Sequence, residues 1–445
     1  MKKVLAILLA GMITASALAG CGGGGGDTSK SEGGSADGSK AEGSQAAAKI
    51  DPSWPDASLF GDETNIELKV WAPDAAVTLV KKQVEAFQKH YSEVKFKKIE
   101  VTAQGESDAA GMVINDPDTA ADVFGFPSDQ IDRLVAAQVL SPVTKGFAAT
   151  VEANNDEKPV TAIKQKDGSM LAYPETNDNG YYLVYDKRIV TDEDAKTLEG
   201  ILEACKKGNR QFVMDAGNGF YACTFAFTAG VKTAGLTESG AQKFEEYDEE
   251  EAVATLMAFA QLMKDYKGTF SSQDVASIST GFKNKTVGAG IDGPWNSKMD
   301  KAELGDNLGA AKLPTVKVNG QDKQMISLFG YKYIGVNSHT KFQRSAQILA
   351  YYLTGQEAQE QRAEELGWGP SNLEAVKKYA DDPILLALQE QSKNSVPSIE
   401  IKQTIWAGMG TLGSSLYKDS WKPDDKAATK KLLDNVISIV KDEEE

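Results

Sequence analysis

The chain has little of the chemistry that most hydrolases and metalloproteins use. Of its 445 residues, three are cysteine and two are histidine. No Cys/His group has zinc spacing, and the sequence contains neither a glycine-rich phosphate loop nor a Gly-x-Ser-x-Gly elbow. These absences argue against metal and histidine-based nucleophilic catalysis. We therefore expect neither a metal nor a cofactor, and no catalysis by a histidine-activated nucleophile.

Positive charge is also scarce. The chain carries 48 Lys and Arg against 64 Asp and Glu, which gives a formal net charge of -16. A protein this acidic is repelled by phosphate-rich and anionic surfaces, so nucleic acid is not expected as a partner. A neutral ligand fits this charge best.

Long apolar runs are missing except at the N-terminus. Residues 4–18 are mostly apolar, follow Lys2 and Lys3, and end in the motif LAGC at 18–21. This pattern predicts a lipoprotein signal peptide at residues 1–20 with lipidation at Cys21, and the alternative is an ordinary signal with a chance cysteine. Each buried methylene adds roughly 0.8 kcal/mol of membrane affinity, so several acyl chains anchor firmly.

The segment after Cys21 also lacks aromatic residues. Residues 22–49 are almost entirely Gly, Ser, Ala and charged side chains. Such a composition cannot bury enough apolar surface to order itself, so residues 21–60 are predicted to be a flexible linker. The folded part would then be held at the extracellular face of the cytoplasmic membrane, and a Gram-positive cell surface is the expected location.

The remainder of the chain alternates short apolar strands with amphipathic helices. Residues 66–70 alternate apolar and polar side chains, which indicates a strand, and apolar residues between 77 and 87 then recur at helical spacing. About 395 residues follow the linker, enough for two domains with their own cores. This alternation predicts an α/β fold with mostly parallel sheets, in which ligands bind at the strands' carboxyl ends. Further predicted elements are strands at 122–126, 181–187 and 211–214, a strand pair within 326–336, and one long helix at 341–366.

Several motifs in order resemble a known family. They are VW at 70–71, ADVFGFPSD at 121–129, VLSP at 139–142, GSMLAYP at 168–174, VYDK at 184–187, FKNK at 282–285, DGPW at 292–295 and Leu313-Pro314. Each motif alone is weakly specific. Together they resemble the extracellular solute-binding lipoproteins of ABC sugar importers, in particular the maltose/maltodextrin-binding family, over residues 66 to about 418.

The resemblance implies a two-lobed fold of the type II periplasmic-binding, or Venus flytrap, kind with a hinge and an interlobe cleft. Residues 64–175 plus 327–378 would form the N-terminal lobe, and residues 180–322 plus 384–445 the C-terminal lobe. The implied function is capture of malto-oligosaccharides, which are α-1,4-glucans, and delivery to the membrane permease subunits of an ABC importer. A monomer is expected.

A glucan offers apolar C–H faces edged with hydroxyl groups. An aromatic ring buries such a face at about 25 cal/mol per Å², and carboxylates or amides pair with the hydroxyls. A sugar cleft therefore needs both residue types at loop tips. The residues expected to bind sugar are Asp74, Phe126, Asp129, Tyr173, Glu175, Asn177, Phe220, Tyr221, Asp292, Trp295, Tyr331, Trp368 and Trp406.

Some positions depart from the family pattern. Phe126 falls where the family usually has a stacking tryptophan, Gln130 replaces an arginine, and Ala75 replaces a lysine. Core packing is the alternative reading for Trp406, and packing beside Pro174 is the alternative for Tyr173. Trp71 fits core packing better than ligand contact.

Three hypotheses remain open on the sequence. The first is a non-enzymatic malto-oligosaccharide receptor whose closed form the sugar favours. The second is a receptor of the same fold for another oligosaccharide, and the third is a surface glycoside hydrolase, which would require a suitably spaced pair of carboxylates. A disulfide between Cys205 and Cys223 is also left open.

Overall fold

Two β-sheets, each covered by helices, organise the chain. The computed structural model describes residues 54–237, 242–402, 404–418 and 425–441. The predicted signal peptide, Cys21, most of the predicted linker and Trp421 lie outside these residues.

The strands are short and are numbered in chain order. They are β1 Ile66–Ala72, β2 Phe96–Ala103, β3 Val123–Pro127, β4 Tyr173–Gly180, β5 Tyr182–Asp186, β6 Gln211–Val213, β7 Thr233–Leu236, β8 Gln242–Phe244, β9 Phe270–Ser271, β10 Val287–Asp292, β11 Leu308–Ala311, β12 Thr315–Val318, β13 Gln321–Gln324, β14 Ser327–Val336 and β15 Ser395–Pro397.

The helices are numbered in the same way. They are α1 Asp74–His90, α2 Glu106–Asn115, α3 Ile131–Ala136, α4 Lys145–Asn154, α5 Glu157–Ala162, α6 Leu198–Lys207, α7 Gly219–Thr228, α8 Glu249–Asp265, α9 Ala276–Asn284, α10 Ser297–Leu304, α11 Gln343–Leu353, α12 Gln356–Leu366, α13 Leu373–Lys378, α14 Pro383–Ser392, α15 Ile405–Tyr417 and α16 Lys426–Lys441.

Strand β1 shows how the sequence pattern produces the first sheet. Ile66, Leu68 and Val70 are buried at every second position, because side chains alternate between the faces of a strand. Helix α1 buries Val80 and Phe87 in the same core. The predicted strand at 66–70 and the helix after it are confirmed.

The first sheet contains six strands in the order β15-β14-β3-β1-β2, with β4 paired to β14. Strand β1 is parallel to β2 and β3, whereas β14 runs antiparallel to β3 and β4. One large hydrophobic core joins this sheet to its helices, with Phe87, Phe124 and Tyr333 fully buried in it.

The second sheet has the order β11-β5-β10-β6-β9. Strand β10 is parallel to β6 and antiparallel to β5. Two hydrophobic clusters cover this sheet. One contains residues of α6, α7, α8 and α15, and the other contains residues of α9 and α14.

The chain passes between the two sheets at short connections. Strand β4 belongs to the first sheet and β5 to the second, and only Tyr181 separates them. The chain returns between β13 and β14, where Met325 is buried in the second core and Ser327 begins β14. Gly180 lies at the first crossing, where a Cβ would be 2.9 Å from Cδ2 of Phe329, so the two crossings pack tightly.

Two predicted elements differ in the structure. The strand pair expected within 326–336 is the single strand β14, because Gly330 stays extended and does not turn. The long helix expected at 341–366 is two helices, α11 and α12. Gly355 breaks it, since its backbone is extended (φ -70°, ψ 168°) where it precedes α12.

Cys205 and Cys223 are both free and buried, so the disulfide considered from the sequence is not formed. Among the described helices, none combines the length and apolar character that a membrane span requires.

Candidate ligand-binding cleft

A cleft of about 540 Å³ lies between elements of the two sheets. On the side of the first sheet it is lined by Pro73, Ala75, Glu106, Ser107, Pro127, Asp129, Gln130, Asn179, Lys332 and Trp368. On the side of the second sheet it is lined by Asn218, Phe220, Tyr221, Val275, Trp295 and Trp406.

The wall on the side of the second sheet is aromatic. The ring centroid of Phe220 lies 6.2 Å from that of Trp295 and 6.3 Å from that of Trp406, and Tyr221 lies 6.5 Å from Trp295. The rings meet at angles between 55° and 69°. Tilted and edge contacts of this kind suit aromatic quadrupoles, so the rings stabilise one another's positions.

The start of α7 places Phe220 and Tyr221 in this wall. The side chain of Asn218 caps the helix by accepting a hydrogen bond from the backbone N–H of Phe220 at 3.0 Å. A Cβ on Gly219 would lie 2.2 Å from the carbonyl oxygen of Trp406. A glycine at this position therefore lets α7 approach α15 closely, which brings Phe220 beside Trp406.

The turn after β10 positions Trp295. Oδ1 of Asp292 accepts hydrogen bonds from the backbone N–H of Gly293 at 2.7 Å and from Nδ2 of Asn296 at 2.9 Å. Asp292 is fully buried, and burial, followed by repulsion from Asp300, raises the pKa of its carboxyl well above the ordinary value. The Asp292 carboxyl thus holds the backbone of the turn that carries Trp295.

The opposite wall is polar. Nζ of Lys332 lies 2.7 Å from Oε2 of Glu106, and both side chains are about nine-tenths buried, with exposures of 8% and 10%. Nearby, Nε2 of Gln130 donates a hydrogen bond to Oδ2 of Asp129 at 2.7 Å. This wall therefore presents an ammonium group, carboxylates and an amide.

Buried carboxylates behind this wall raise the pKa of the Lys332 amine. Burial alone would lower the pKa of its amine, but the carboxylates of Glu106, Asp178 and Glu175 outweigh that effect and raise it. Glu175 pairs in turn with Nε of Arg362 at 2.8 Å. Burial first, and nearby carboxylates second, raise the pKa of Glu175, whereas Arg362 lowers it.

Six of the thirteen predicted site residues line the cleft. They are Asp129, Phe220, Tyr221, Trp295, Trp368 and Trp406. They come from both sides of the cleft.

The prediction that Phe126 lies at the cleft is wrong. Its side chain is fully buried, and its ring packs 5.7 Å from that of Phe124 and 5.8 Å from that of Tyr333. Phe124 and Phe126 share the core face of β3 because side chains alternate along a strand. Gly125 lies toward Glu106 instead, since its Cβ would be 3.4 Å from Oε1 of that residue.

The same alternation of side chains along a strand shows that the prediction for Tyr331 is wrong. Its ring packs in the first core, 6.4 Å from that of Tyr333, and is not among the cleft-lining residues. Lys332, the next residue along β14, lines the cleft. The prediction was therefore wrong by one position, which in a strand means the opposite face.

Three residues of the β4 segment also lie away from the cleft lining. Tyr173 is buried, and its hydroxyl donates to Oε1 of Gln347. Glu175 is buried in its ion pair with Arg362. The backbone N–H of Asn177 donates to the carbonyl of Gly369 at 3.0 Å.

Two further predictions need correction. Asp292 does not line the cleft. Its buried carboxyl accepts the backbone hydrogen bond of Gly293 and so holds the turn that carries Trp295. Asp74 is exposed at the first position of α1, and its neighbours Pro73 and Ala75 line the cleft in its place.

Sequence reasoning missed Glu106, Ser107, Asn179, Val275 and Lys332 as cleft residues. One signal was available for Lys332. A lysine within an otherwise apolar strand is rarely buried unless it is paired, so its position pointed to a buried carboxylate partner. The partner itself, Glu106 on α2, is distant in sequence and could not be identified from local patterns.

The arrangement suits a ligand with apolar faces and hydroxyl edges. Rings on one wall can cover a C–H face, and the opposite wall supplies hydrogen-bond donors and acceptors. Among the described residues, no group of three or more His, Cys, Asp or Glu side chains could hold a metal ion.

The fold and cleft define a solute-binding protein of two lobes. Residues 82–387 match the family described as bacterial extracellular solute-binding protein, and the chain belongs to this family. The predicted two-lobed α/β fold and the predicted family relationship are confirmed.

Two relatives with related sequences illustrate the family. A galactooligosaccharide-binding protein of Bacillus subtilis (strain 168) is 27% identical over 363 residues, which is 76% of this chain and 82% of that protein. A maltodextrin-binding protein from L. casei BL23, solved without ligand, is 27% identical with a TM-score of 0.69 and covers 85% of this chain and 99% of its own.

The fold is shared more widely. The maltotriose-binding protein of Thermus thermophilus, solved with maltotriose, has a TM-score of 0.70 at 19% identity and covers 85% of this chain and 100% of its own. At this identity the likeness concerns the fold alone.

Proposed function

We propose that this protein captures malto-oligosaccharides of maltotriose length or longer in the cleft. The observation that carries the proposal is the pairing of two unlike walls. Phe220, Trp295 and Trp406 form an aromatic cluster on one side, and Glu106 and Lys332 face the cleft from the other. A stacked glucose unit would bury its C–H face on the rings while its hydroxyl groups pair with the polar wall.

The named relatives support a sugar as the ligand. One is named as a galactooligosaccharide-binding protein, and the L. casei structure, at the same 27% identity, is named as a maltodextrin-binding protein. The first of these makes a galactooligosaccharide the second candidate for this chain. Phe220 and Tyr221, together with Asp129, Trp295, Trp368 and Trp406, are the proposed contact residues.

Sugar binding would close the two lobes. In this proposal residues 64–175 plus 327–378 form one lobe, and residues 180–322 plus 384–445 form the other. Strand β15 is an exception to these bounds, because it pairs with β14 in the first sheet. The short crossings at Tyr181 and between β13 and β14 would act as the hinge. In a hinge motion the backbone dihedral angles of only a few residues at the ends of elements change, and these crossings are such positions. Only the closed form contacts both sides of the sugar, so the sugar favours closure.

We also propose that the closed form delivers its sugar to the permease subunits of an ABC importer. The protein would act as a monomer, lipid-anchored at Cys21 on the extracellular face of the membrane and held by the linker that follows. The predicted linker bounds, 21–60, need correction at their end, because Trp54 and Phe60 pack against the first core. The LAGC motif and the aromatic-free segment after it support this part of the proposal.

Isothermal titration calorimetry against a panel of sugars tests the ligand class. We expect maltotriose and longer α-1,4-glucans to bind with a Kd of about 1 μM, which corresponds to about -8 kcal/mol. Galactooligosaccharides, xylo-oligosaccharides and fructans serve as competitors. Saturable binding of a galactooligosaccharide with no response to any glucan would replace the first candidate with the second.

A hydrolysis assay tests the non-enzymatic part of the proposal. Maltoheptaose incubated with the protein should remain intact when the mixture is separated by chromatography. The appearance of shorter glucans, abolished by substitution of one cleft carboxylate such as Glu106, would instead identify a glycoside hydrolase.

A further inference from the structure

Lys332 is a charged side chain enclosed in the wall of a cleft. It lies on β14, where its backbone pairs with Pro127 of β3 and Thr176 of β4, so it occupies an interior strand. Its side chain is 8% exposed and lines the cleft. Enclosing an ammonium group is costly unless compensating interactions are present, so its position calls for an explanation.

Two groups hold this ammonium in place. Oε2 of Glu106 accepts a hydrogen bond from it at 2.7 Å. The ring of Trp368 lies beneath it, with the nitrogen 4.3 Å from the ring centroid, which is the geometry of a cation–π contact. Because the ammonium has three N–H donors and no acceptor, it can only donate to a ligand.

The contact with Trp368 changes the role of that ring. The ammonium lies over one face of the Trp368 indole, so that face supports Lys332 and is not open for stacking by a sugar. Trp295, from the other wall, lies with its ring centroid 6.0 Å from the same nitrogen. A sugar unit resting on Trp295 would therefore have its hydroxyl edge within hydrogen-bond reach of Lys332.

We propose that Lys332 donates hydrogen bonds to hydroxyl oxygens of the sugar unit that stacks on Trp295, and that Glu106 and Trp368 position it for this role. The inference rests on the proposed sugar-binding function and adds a specificity determinant to it. Lys332 would favour a sugar unit whose hydroxyl oxygens face its ammonium group. A unit that carries an ammonium group there, such as a glucosamine unit, is rejected by like-charge repulsion.

Calorimetry with a matched pair of lysine variants tests the role. Lys332→Met keeps the unbranched side chain and removes the donors. Lys301→Met is the control, because Lys301 is also partly buried and paired with an aspartate, Asp382, but does not line the cleft. We expect Lys332→Met to bind the preferred glucan about tenfold more weakly or worse, and the control to bind as the wild type does.

Monodeoxy analogues of the same glucan separate recognition from structural support. Removal of the hydroxyl that Lys332 contacts should weaken wild-type binding about tenfold and should cost Lys332→Met nothing further. A lysine that only stabilises the wall would lower the affinity for all analogues by the same factor. That uniform loss, or wild-type affinity in folded Lys332→Met, overturns the inference.

A measurement on the wild-type protein covers the case in which Lys332→Met does not fold. With ¹⁵N-lysine labelling, the ammonium signal of Lys332, assigned through Lys332→Arg, should shift on saturation with the full glucan and not with the critical deoxy analogue. A signal that no ligand moves contradicts the inference. If the wild type binds no sugar, the proposed function fails as well; if Trp295→Ala weakens binding and Lys332→Met does not, only the role of Lys332 fails.

Discussion

The indole of Trp295 folds back over the backbone of Gly293. A Cβ placed on Gly293 would lie 2.1 Å from Cζ2 of the tryptophan, well inside the contact distance of two carbon atoms. No other residue type can occupy position 293 without displacing the ring. The orientation of the proposed stacking surface thus depends on a missing side chain two residues away.

Gly293→Ala should therefore weaken sugar binding about tenfold or more, because the new methyl group displaces the ring of Trp295. Calorimetry measures the affinity, and circular dichroism checks that the variant folds. Gly111→Ala is the matched control, since its backbone lies in α2 and a Cβ there meets only the end of the Arg133 side chain, at 3.4 Å, away from the cleft lining. Equal affinities in both variants would show that Trp295 does not contact the sugar.

The aromatic cluster gives a second prediction. Trp406→Ala should weaken binding by about 1–3 kcal/mol, since a sugar would lose a stacking ring. Trp54→Ala serves as its control, because Trp54 stacks on His90 and Tyr352 and does not line the cleft. Both affinities are read by titration, and a larger loss in the control would refute the placement of the sugar.

Phe126 and Phe220 should respond in opposite ways. Phe126→Ala removes a fully buried ring and should lower the free energy of unfolding by about 3–5 kcal/mol with little change in sugar affinity. Phe220→Ala removes a ring that lines the cleft and should mainly weaken binding. Urea denaturation and calorimetry on both variants test this contrast; an affinity loss confined to Phe126→Ala would reverse our assignment.

These two phenylalanines show what local sequence could predict. Phe220 follows a strand-to-helix corner, and such corners lie at the carboxyl ends of strands, where ligands bind. Phe126 also lies near the end of a strand, but its face depends on register. Phe124 lies deeper in the same strand and is the clearer candidate for the core. Because residues two apart in a strand share a face, placing Phe124 in the core also places Phe126 there.

Other features needed the folded chain. The pairing of Lys332 with Glu106 joins residues that are far apart in sequence, and no local pattern specifies such a partner. The break between α11 and α12 had a local signal in Gly355, which the helical periodicity on both sides concealed. Element types were thus more predictable than the faces they present and the distant contacts they make.

Asp300 provides a prediction about pH. It is buried, Oδ1 accepts a hydrogen bond from Ser279 at 2.6 Å, and burial raises the pKa of its carboxyl from 3.8 to about 7. Between these values the folded chain holds a proton that the unfolded chain releases. The free energy of unfolding should therefore fall as pH rises from about 4 to about 7 and should level off above that.

Asp300→Asn removes this titration and keeps an oxygen that can accept from Ser279. The variant should gain on the order of 2–4 kcal/mol over the wild type at pH 8 and little at pH 4. Some pH dependence should remain, because burial also raises the pKa of Asp292. Thermal and urea denaturation across this range measure the difference. Asp306→Asn, an exposed change in the same lobe, is the control and should follow the wild type.

The most direct test of sugar capture between the two walls is a crystal structure of the protein grown with maltotriose. We expect one glucose unit on the ring of Trp295, with Trp406 and Phe220 beside the sugar and a hydroxyl oxygen within hydrogen-bond distance of Nζ of Lys332. A bound sugar elsewhere on the molecule, with this cleft empty, would contradict the proposed function.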